Sequence, residues 1–434
     1  MRYIYMTEEK TLPVTEEQND APKKESSRKK TLAKVLIGVV AVILVFLITT
    51  SVITAVGFNS NLKKIANFEK ADSAVLSIDN YDDGCWNIHT DKELKVMQLT
   101  DVHLGGGWMS ASKDLKALNA VASMIKAENP DLVIVTGDLA YPIYMQAGTT
   151  NNKSGSVLFA ELMEQLGVYW TMSFGNHDVE ANSRYSKDDL LEIYSQYPHC
   201  LFQKGPDNID GRGNQIINIV NKDNIITRSF IILDSHAYAE DHIPVISSSY
   251  DNIHPNQIKW YKEVVKQLNE KNEETLSTLN ASIATEYANK MPEIKTSLFF
   301  HIPLTEYADA WKEYADNEFK DTENVKYYYG TLDEEVCCAS ADDEMFETIL
   351  ETGSTDSIFC GHDHVNTFSV DYKGVRLTYG MSIDYLAYIG ISKDGAQRGC
   401  TIITYNPDGT FTCKAENYYQ DKYVTYYEKE NVEM

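Results

Sequence analysis

The sequence predicts an α/β domain held behind a single membrane-spanning helix. Three observations carry this reading. Residues 35–58 form a run of 24 without a charged side chain. Downstream, amphipathic stretches of helical period alternate with short, wholly apolar runs. Five of those runs stop at aspartate, asparagine or histidine, and Asn and Asp are residues that strands disfavour.

The chain has 434 residues, 43% of them hydrophobic, a globular composition long enough for one large domain or two ordinary ones. Its net charge is −25. The segment 1–34 holds eight basic and six acidic side chains, so the remainder carries 31 basic against 58 acidic, or −27. So acidic a surface repels nucleic acid and anionic lipid, which argues against a non-specific nuclease. Bound metal can still make a site locally positive. The seven cysteines include no C-x-x-C pair and no zinc-finger spacing, and they assign no disulfide.

In chain order, residues 1–34 read as a disordered cytoplasmic tail ending in the basic cluster Lys23, Lys24, Arg28, Lys29, Lys30 and Lys34. The charge-free run would make about 36 Å of helix, enough for a bilayer core of roughly 30 Å. Only Lys63 and Lys64 lie just beyond it, so the positive-inside rule puts the N-terminus in the cytoplasm and the rest outside. A cleaved signal peptide would have a shorter apolar core and a shorter leader. Residues 59–83 are expected as a stalk and 84–434 as the folded domain. That domain opens on a predicted hairpin, with arms 86–89 and 94–99 around a turn at 90–93. Helices are expected at 113–126, 156–167, 187–196 and 255–269. Strands are expected at 131–136, at 168–172, as an antiparallel pair at 215–220 and 227–233, and at 296–300, 357–360, 367–372, 375–379, 401–405 and 410–414. The polar stretches 270–293 and 310–342 read as insertions.

The functional signal lies at five strand ends. Residues 96–100 lead to Asp101 and His103, and 132–136 lead to Asp138. Residues 168–172 lead to Asn176, His177 and Asp178, 297–300 to His301, and 357–360 to His362, Asp363 and His364. Ligands of α/β sheets sit beyond the carboxyl ends of strands, so these five ends would meet at one rim. Asp101/His103 and His362/His364 are i, i+2 pairs, whose side chains face the same way in an extended chain. Glycine immediately precedes Asp138, Asn176 and His362, allowing close backbone approach. Mixed Asp, Asn and His donors suit Zn, Mn or Fe. Seven of them exceed the needs of one tetrahedral zinc and predict two ions sharing a bridging carboxylate.

Taken in order, Asp101-x-His103, Gly137-Asp138, Gly175-Asn176-His177-Asp178, His301 and Gly361-His362-x-His364 resemble the calcineurin-like metallophosphoesterases. The purple-acid-phosphatase-like and sphingomyelinase-like branch is the nearer one. The Ser/Thr protein phosphatases carry a longer Gly-Asp block with a further Asp and Arg, absent from Gly137-Asp138-Leu139-Ala140. Purple acid phosphatases proper use a tyrosine ligand where this chain has His103. The resemblance implies a four-layer α/β/β/α sandwich. It also implies that Asp101, His103 and His364 hold one metal, Asn176, His301 and His362 the other, and that Asp138 bridges them. His177 would act as general acid to the leaving group, and a bridging hydroxide would attack the phosphorus.

The expected function is therefore metal-dependent hydrolysis of phosphate mono- or diesters at the outer membrane face, with the membrane as partner through the N-terminal helix. The alternatives are a catalytically inactive, membrane-tethered binding module of the same fold, or a nuclease. Asp178 is read either as orienting a neighbour or as a turn or capping residue. Asp363 is expected to face solvent and Arg184 to be a surface-loop arginine rather than a phosphate clamp. His236 and His242 are expected to lie off the site. The tyrosine clusters 327–329 and 418–427 are expected to pack rather than to line a cleft.

Overall fold

A computed structural model describes residues 23–82, 84–239, 249–290, 293–340, 343–388, 391, 397–430 and 432. The chain divides into two units, at Val52/Ile53. Helix α1 (Lys23–Ile65) carries the charge-free run, and is long and apolar enough to cross a membrane. Apolar side chains from Val35 to Ile48 are exposed on every face, which fits lipid rather than a protein core.

The second unit holds two sheets. The first contains β1 (Ser77–Asp82), β2 (Cys85–His89), β6 (Gln215–Val220), β7 (Ile226–Ile232), β8 (Lys295–Phe299), β10 (Thr355–Cys360), β12 (Val375–Tyr379), β11 (Ser369–Tyr372) and β9 (Val325–Tyr329), in that spatial order. The second runs β14 (Phe411–Asn417), β13 (Gly399–Tyr405), β3 (Leu94–Leu99), β4 (Leu132–Thr136), β5 (Tyr169–Ser173). Helices α2 (Ala111–Glu128), α3 (Tyr144–Ala147), α4 (Asn152–Leu166) and α5 (Lys187–Tyr194) precede helices α6 (Pro255–Thr278), α7 (Ala281–Lys290), α8 (Glu306–Asp316) and α9 (Met345–Thr352).

Period-2 alternation builds the layers. In β4, Val133 and Val135 pack under α2 and α4, whereas Leu132 and Ile134 turn to the other sheet. In β7, Ile231 packs under α6 while Phe230 and Ile232 meet the opposite sheet, and β10 does the same with Ile358 and Phe359. Burial on both faces explains why these strands read as unbroken apolar runs. Three cores thus separate helices, sheet, sheet and helices, the expected four layers.

Four expectations need correction. Strands 85–89 and 94–99 do not form a hairpin. β2 pairs with β1 and β6, while β3 pairs with β4 and β13, so the chain crosses between sheets at residues 90–93. The stretch 59–83 is not a stalk. Asn61 Nδ2 donates to the Ala111 carbonyl at 2.8 Å, Ile65 and Phe68 are buried, and Ser77–Asp82 is an edge strand. Helix α6 continues well past residue 269 into 270–293. The stretch 310–342 contains β9, which extends the first sheet. The seven cysteines, left unassigned by their spacing, form no disulfide.

β3, β4 and β5 are mutually parallel, as are β7, β8, β10 and β12. The carboxyl ends carrying the candidate ligands therefore gather from both sheets.

Candidate metal centre

The loops that leave these strands are unusually bent. Asp101, His103, Asp138 and His362 all have positive φ, between 49° and 77°. Such residues cost of order 1–3 kcal/mol each and cluster at functional sites. Two glycines make the close approach between loops feasible. A Cβ on Gly175 would stand 2.2 Å from Asp138 Oδ1, and one on Gly137, whose φ is +82°, would meet the His301 ring at 2.5 Å. Only glycine fits either place.

The side chains converge accordingly. Asp138 Oδ2 lies 3.2 Å from both His103 Nε2 and His301 Nε2. Its other oxygen accepts from the His177 amide at 2.7 Å. His301 donates from Nδ1 to the Thr136 carbonyl at 2.8 Å, which leaves Nε2 as a lone-pair donor, 3.0 Å from Asn176 Oδ1. His362 Nδ1 lies 3.2 Å from that same Nε2. Asp101 Oδ1 is 3.6 Å from His364 Nε2. Three sets, Asp101/His103/His364, His103/Asp138/His177 and Asp138/His301/His362, each place their donor atoms within 4.8 Å of one another and could hold an ion. Asp101 Oδ1 and His362 Nε2 are buried with no hydrogen-bond partner among the described residues, which leaves their lone pairs open to a metal ion. The donor set fits two cations.

Electrostatics agree. Burial opposes protonation of His103, yet Asp384 and Asp138 raise it well above the ordinary imidazole value. Against the same opposition from burial, Asp138 pushes His301 up to about 9. Burial opposes ionisation of Asp138, but His301, His177 and His103 hold its carboxyl well below the usual range. A pocket that makes two buried imidazoles basic demands positive charge, and a bound cation would displace their protons.

The sequence profile of the calcineurin-like phosphoesterase family matches residues 94–366, a span that includes all five strand ends. The chain belongs to the calcineurin-like phosphoesterase family. Probable inactive purple acid phosphatase 29 of Arabidopsis thaliana is 27% identical over 332 residues, 72% of this chain and 76% of the plant protein. Phosphatase DCR2 of Saccharomyces cerevisiae is 28% identical over 297 residues, 64% of this chain but 45% of the yeast protein. The crystal structure of a dimetal phosphatase from Danio rerio aligns at 13% identity with a TM-score of 0.47, covering 78% of this chain and 100% of the other.

Sequence reasoning missed several residues that border this candidate centre. Asp384 is fully buried and lies 3.3 Å from His103 Nδ1 and 3.7 Å from His364 Nδ1. It follows no strand-end motif, so spacing carried no signal. Glu180 pairs with His177 Nδ1 at 2.5 Å. Its position three residues on was a signal available in the sequence. Tyrosines ring the centre. Tyr141 stands edge-on to His103 and His177, Tyr250 to His362 and Tyr388 to His364, while Tyr238 OH accepts from Asn176 Nδ2 at 3.1 Å.

Other expectations meet mixed outcomes. Asp363 is 2% exposed rather than solvent-facing. It accepts from Tyr379 OH at 2.5 Å and from the Cys337 amide, and burial raises its carboxyl to about 7. Arg184 is exposed, its guanidinium over the Tyr185 ring. His236 stacks on His254 and pairs with Gln257; it joins none of the three sets at the rim and instead forms a separate, half-buried group with Asp251 and His254 that could also hold an ion. His242 lies outside the described residues. Tyr418, Tyr419 and Tyr423 are buried, in the core with α2 and α4.

Asp178 has a definite task. Its carboxylate accepts from the amides of Asp138 at 3.0 Å, Ala140 at 2.8 Å and Gly175 at 2.8 Å. It therefore staples the loop after β4 to the loop after β5. Asp178→Ala is expected to leave three buried N–H groups unpaired and to cost about 3 kcal/mol in urea denaturation. Asp178→Asn, which keeps an acceptor, is expected to cost less. Burial, together with the charge of Asp138, already lifts the Asp178 carboxyl to about 6, so loss of its charge is tolerated more readily than loss of its oxygens.

Proposed function

We propose that this chain hydrolyses phosphate esters with two metal ions, from a domain tethered at the outer face of a membrane. The observation that carries the reading is Asp138 Oδ2, equidistant at 3.2 Å from imidazoles that belong to different sheets. That is where a bridging carboxylate belongs. Asp101, His103 and His364 would hold one ion, Asn176, His301 and His362 the other, and Asp138 both. Bound there, two divalent or trivalent cations neutralise phosphate oxygens and activate water at neutral pH.

The chain's own contribution is orientation and protons. Asp178 fixes the two loops that present Asp138 and Asn176. Glu180 engages His177 Nδ1, leaving Nε2 to carry the proton that the departing alkoxide needs. Tyr141 packs against the His177 ring at 4.8 Å between centroids, which limits its rotation. His177→Asn is expected to slow hydrolysis of an alkyl phosphate by about 100- to 1,000-fold. The same substitution should affect p-nitrophenyl phosphate much less, because that leaving group departs without a proton. Equal losses on both substrates would remove His177 from the acid role.

The plant relatives are named inactive, which keeps the non-catalytic binding module as the rival. All seven candidate ligands and His177 are present here, and their convergence favours catalysis. The deciding experiment gives the full chain a panel of phosphate mono- and diesters and measures its metals by elemental analysis. No hydrolysis with two metals bound would establish the binding module. Digestion of nucleic acid at low salt would favour a nuclease instead, against the −27 charge balance.

A further inference from the structure

Among the described residues, three segments beside the metal centre carry no acidic or basic side chain except His103. Residues 102–112 and 139–152 contain no Asp, Glu, Lys or Arg, apart from His103, nor do residues 385–388. These three segments are knitted together. The Met109 amide donates to the Ala147 carbonyl at 3.2 Å, and Gln146 Nε2 donates to the Ala387 carbonyl at 3.4 Å. Tyr141, Ala147 and Leu386 form a small core of their own beneath them.

Over that core large apolar side chains point into solvent. Met145 is 79% exposed, and Met109, Tyr144 and Tyr388 are each at least 40% exposed. Exposed apolar clusters mark interaction surfaces. One of the cluster's residues also reaches the metal centre: Tyr388 faces His364 at 5.6 Å between centroids.

Residues 57–61, which belong to the second unit, say what covers this face. Gly57, at the end of the charge-free run, approaches Ala111 so closely that a Cβ there would stand 2.8 Å from the Ala111 Cβ. One turn on, Asn61 bonds the Ala111 carbonyl. Ala111 is two residues from Met109, at most about 8 Å along the chain. The apolar lip thus lies beside residues 57–61, where the charge-free run ends.

We infer that Met109, Tyr144, Met145 and Tyr388 form a lip that dips into the outer leaflet and admits a phosphate ester carried by a lipid. This rests on the phosphoesterase reading above. Acyl chains stay among the apolar side chains while the headgroup reaches the metal rim. Water cleaves the P–O bond, the phosphate retains the water's oxygen, and the lipid's oxygen takes its proton from His177. The acidic remainder of the domain is repelled by an anionic leaflet, whereas the lip segments carry no acidic side chain.

The test uses the full chain in phosphatidylcholine vesicles containing either dioleoyl phosphatidic acid or phosphatidylglycerol, with p-nitrophenyl phosphate as the water-soluble ester. The double variant Met109→Asp/Met145→Asp is expected to lose about tenfold on the vesicle lipids, because two methionine side chains no longer bury in the leaflet. Its rate on p-nitrophenyl phosphate should stay within twofold of the parent, and Phe319→Asp should change neither. Hydrolysis confined to the soluble ester, or equal vesicle rates for variant and parent, overturns the lip while leaving the phosphoesterase intact. Contact is also read without catalysis. Met145→Trp fluorescence should be quenched by lipids brominated near the headgroup, and absence of quenching overturns the proposal even if no ester is hydrolysed.

Discussion

Asp138→Asn is expected to lower turnover about 1,000-fold, equivalent to about 4 kcal/mol of transition-state stabilisation, and to reduce the bound metal below two per chain. The reason lies in how completely the carboxylate is used. One oxygen faces His103 and His301, and the other accepts the His177 amide. A carboxylate can serve both sides because it only accepts. An amide must point its NH₂ group either at the His177 N–H or at the cations, and each choice places donor against donor or against positive charge. The substitution is nearly isosteric, so fold and thermal midpoint should change little. Elemental analysis and turnover on one phosphate ester check it together. Parental turnover with two metals retained would sink the bridging role.

Asp356→Ala is expected to destabilise the domain by about 3–5 kcal/mol without touching the chemistry. Asp356 forms a two-point pair with Arg228, both contacts at 2.7 Å. The guanidinium is 1% exposed. It also donates to Ser297 Oγ and the Gly409 carbonyl, with the Tyr405 and Phe411 rings about it. Arg228 belongs to the first sheet and Gly409 to the β13–β14 turn of the second, so the group ties the two sheets near the ends of β7 and β10 that lie away from the metal rim. Removing Asp356 strands a buried cation. Urea denaturation should show the loss, while metal content and turnover of the folded protein stay at parental levels. Arg228→Met/Asp356→Leu together should recover most of the stability, because neither charge is then left alone.

The five strand ends were legible because their chemistry is local. A candidate after an apolar run needs no knowledge of its partner, so Asp101, His103, Asp138, Asn176, His301, His362 and His364 could all be named as candidate ligands from the sequence, and the structure brings them to one rim. Asp384 could not. It reaches His103 from a remote part of the chain, on a loop that follows β12 without apolar-to-ligand punctuation. The 90–93 crossing was misread for a related reason. Four polar residues between two strands make a plausible hairpin turn, and only tertiary pairing sends the strands to different sheets. Residues 59–83 looked like a stalk because they lie between the charge-free run and the first expected strand. Phe68 nevertheless finds Tyr426 and Tyr427 edge-on, at 4.8 and 5.7 Å between centroids, partners from beyond the last strand, β14.

The lack of any disulfide among the seven cysteines throws weight onto the candidate metals. Two ions held from Asp101 to His364 would close a loop running from the end of β3 to the end of β10, and would link segments drawn from both sheets. In the unfolded chain, a covalent tie over such a span removes several kcal/mol of conformational freedom, and a cation bound only by the folded form acts to the same end by mass action. A domain without disulfides would then be riveted by such ions instead of by sulfur. Chelation should then unfasten its two halves as well as silence it.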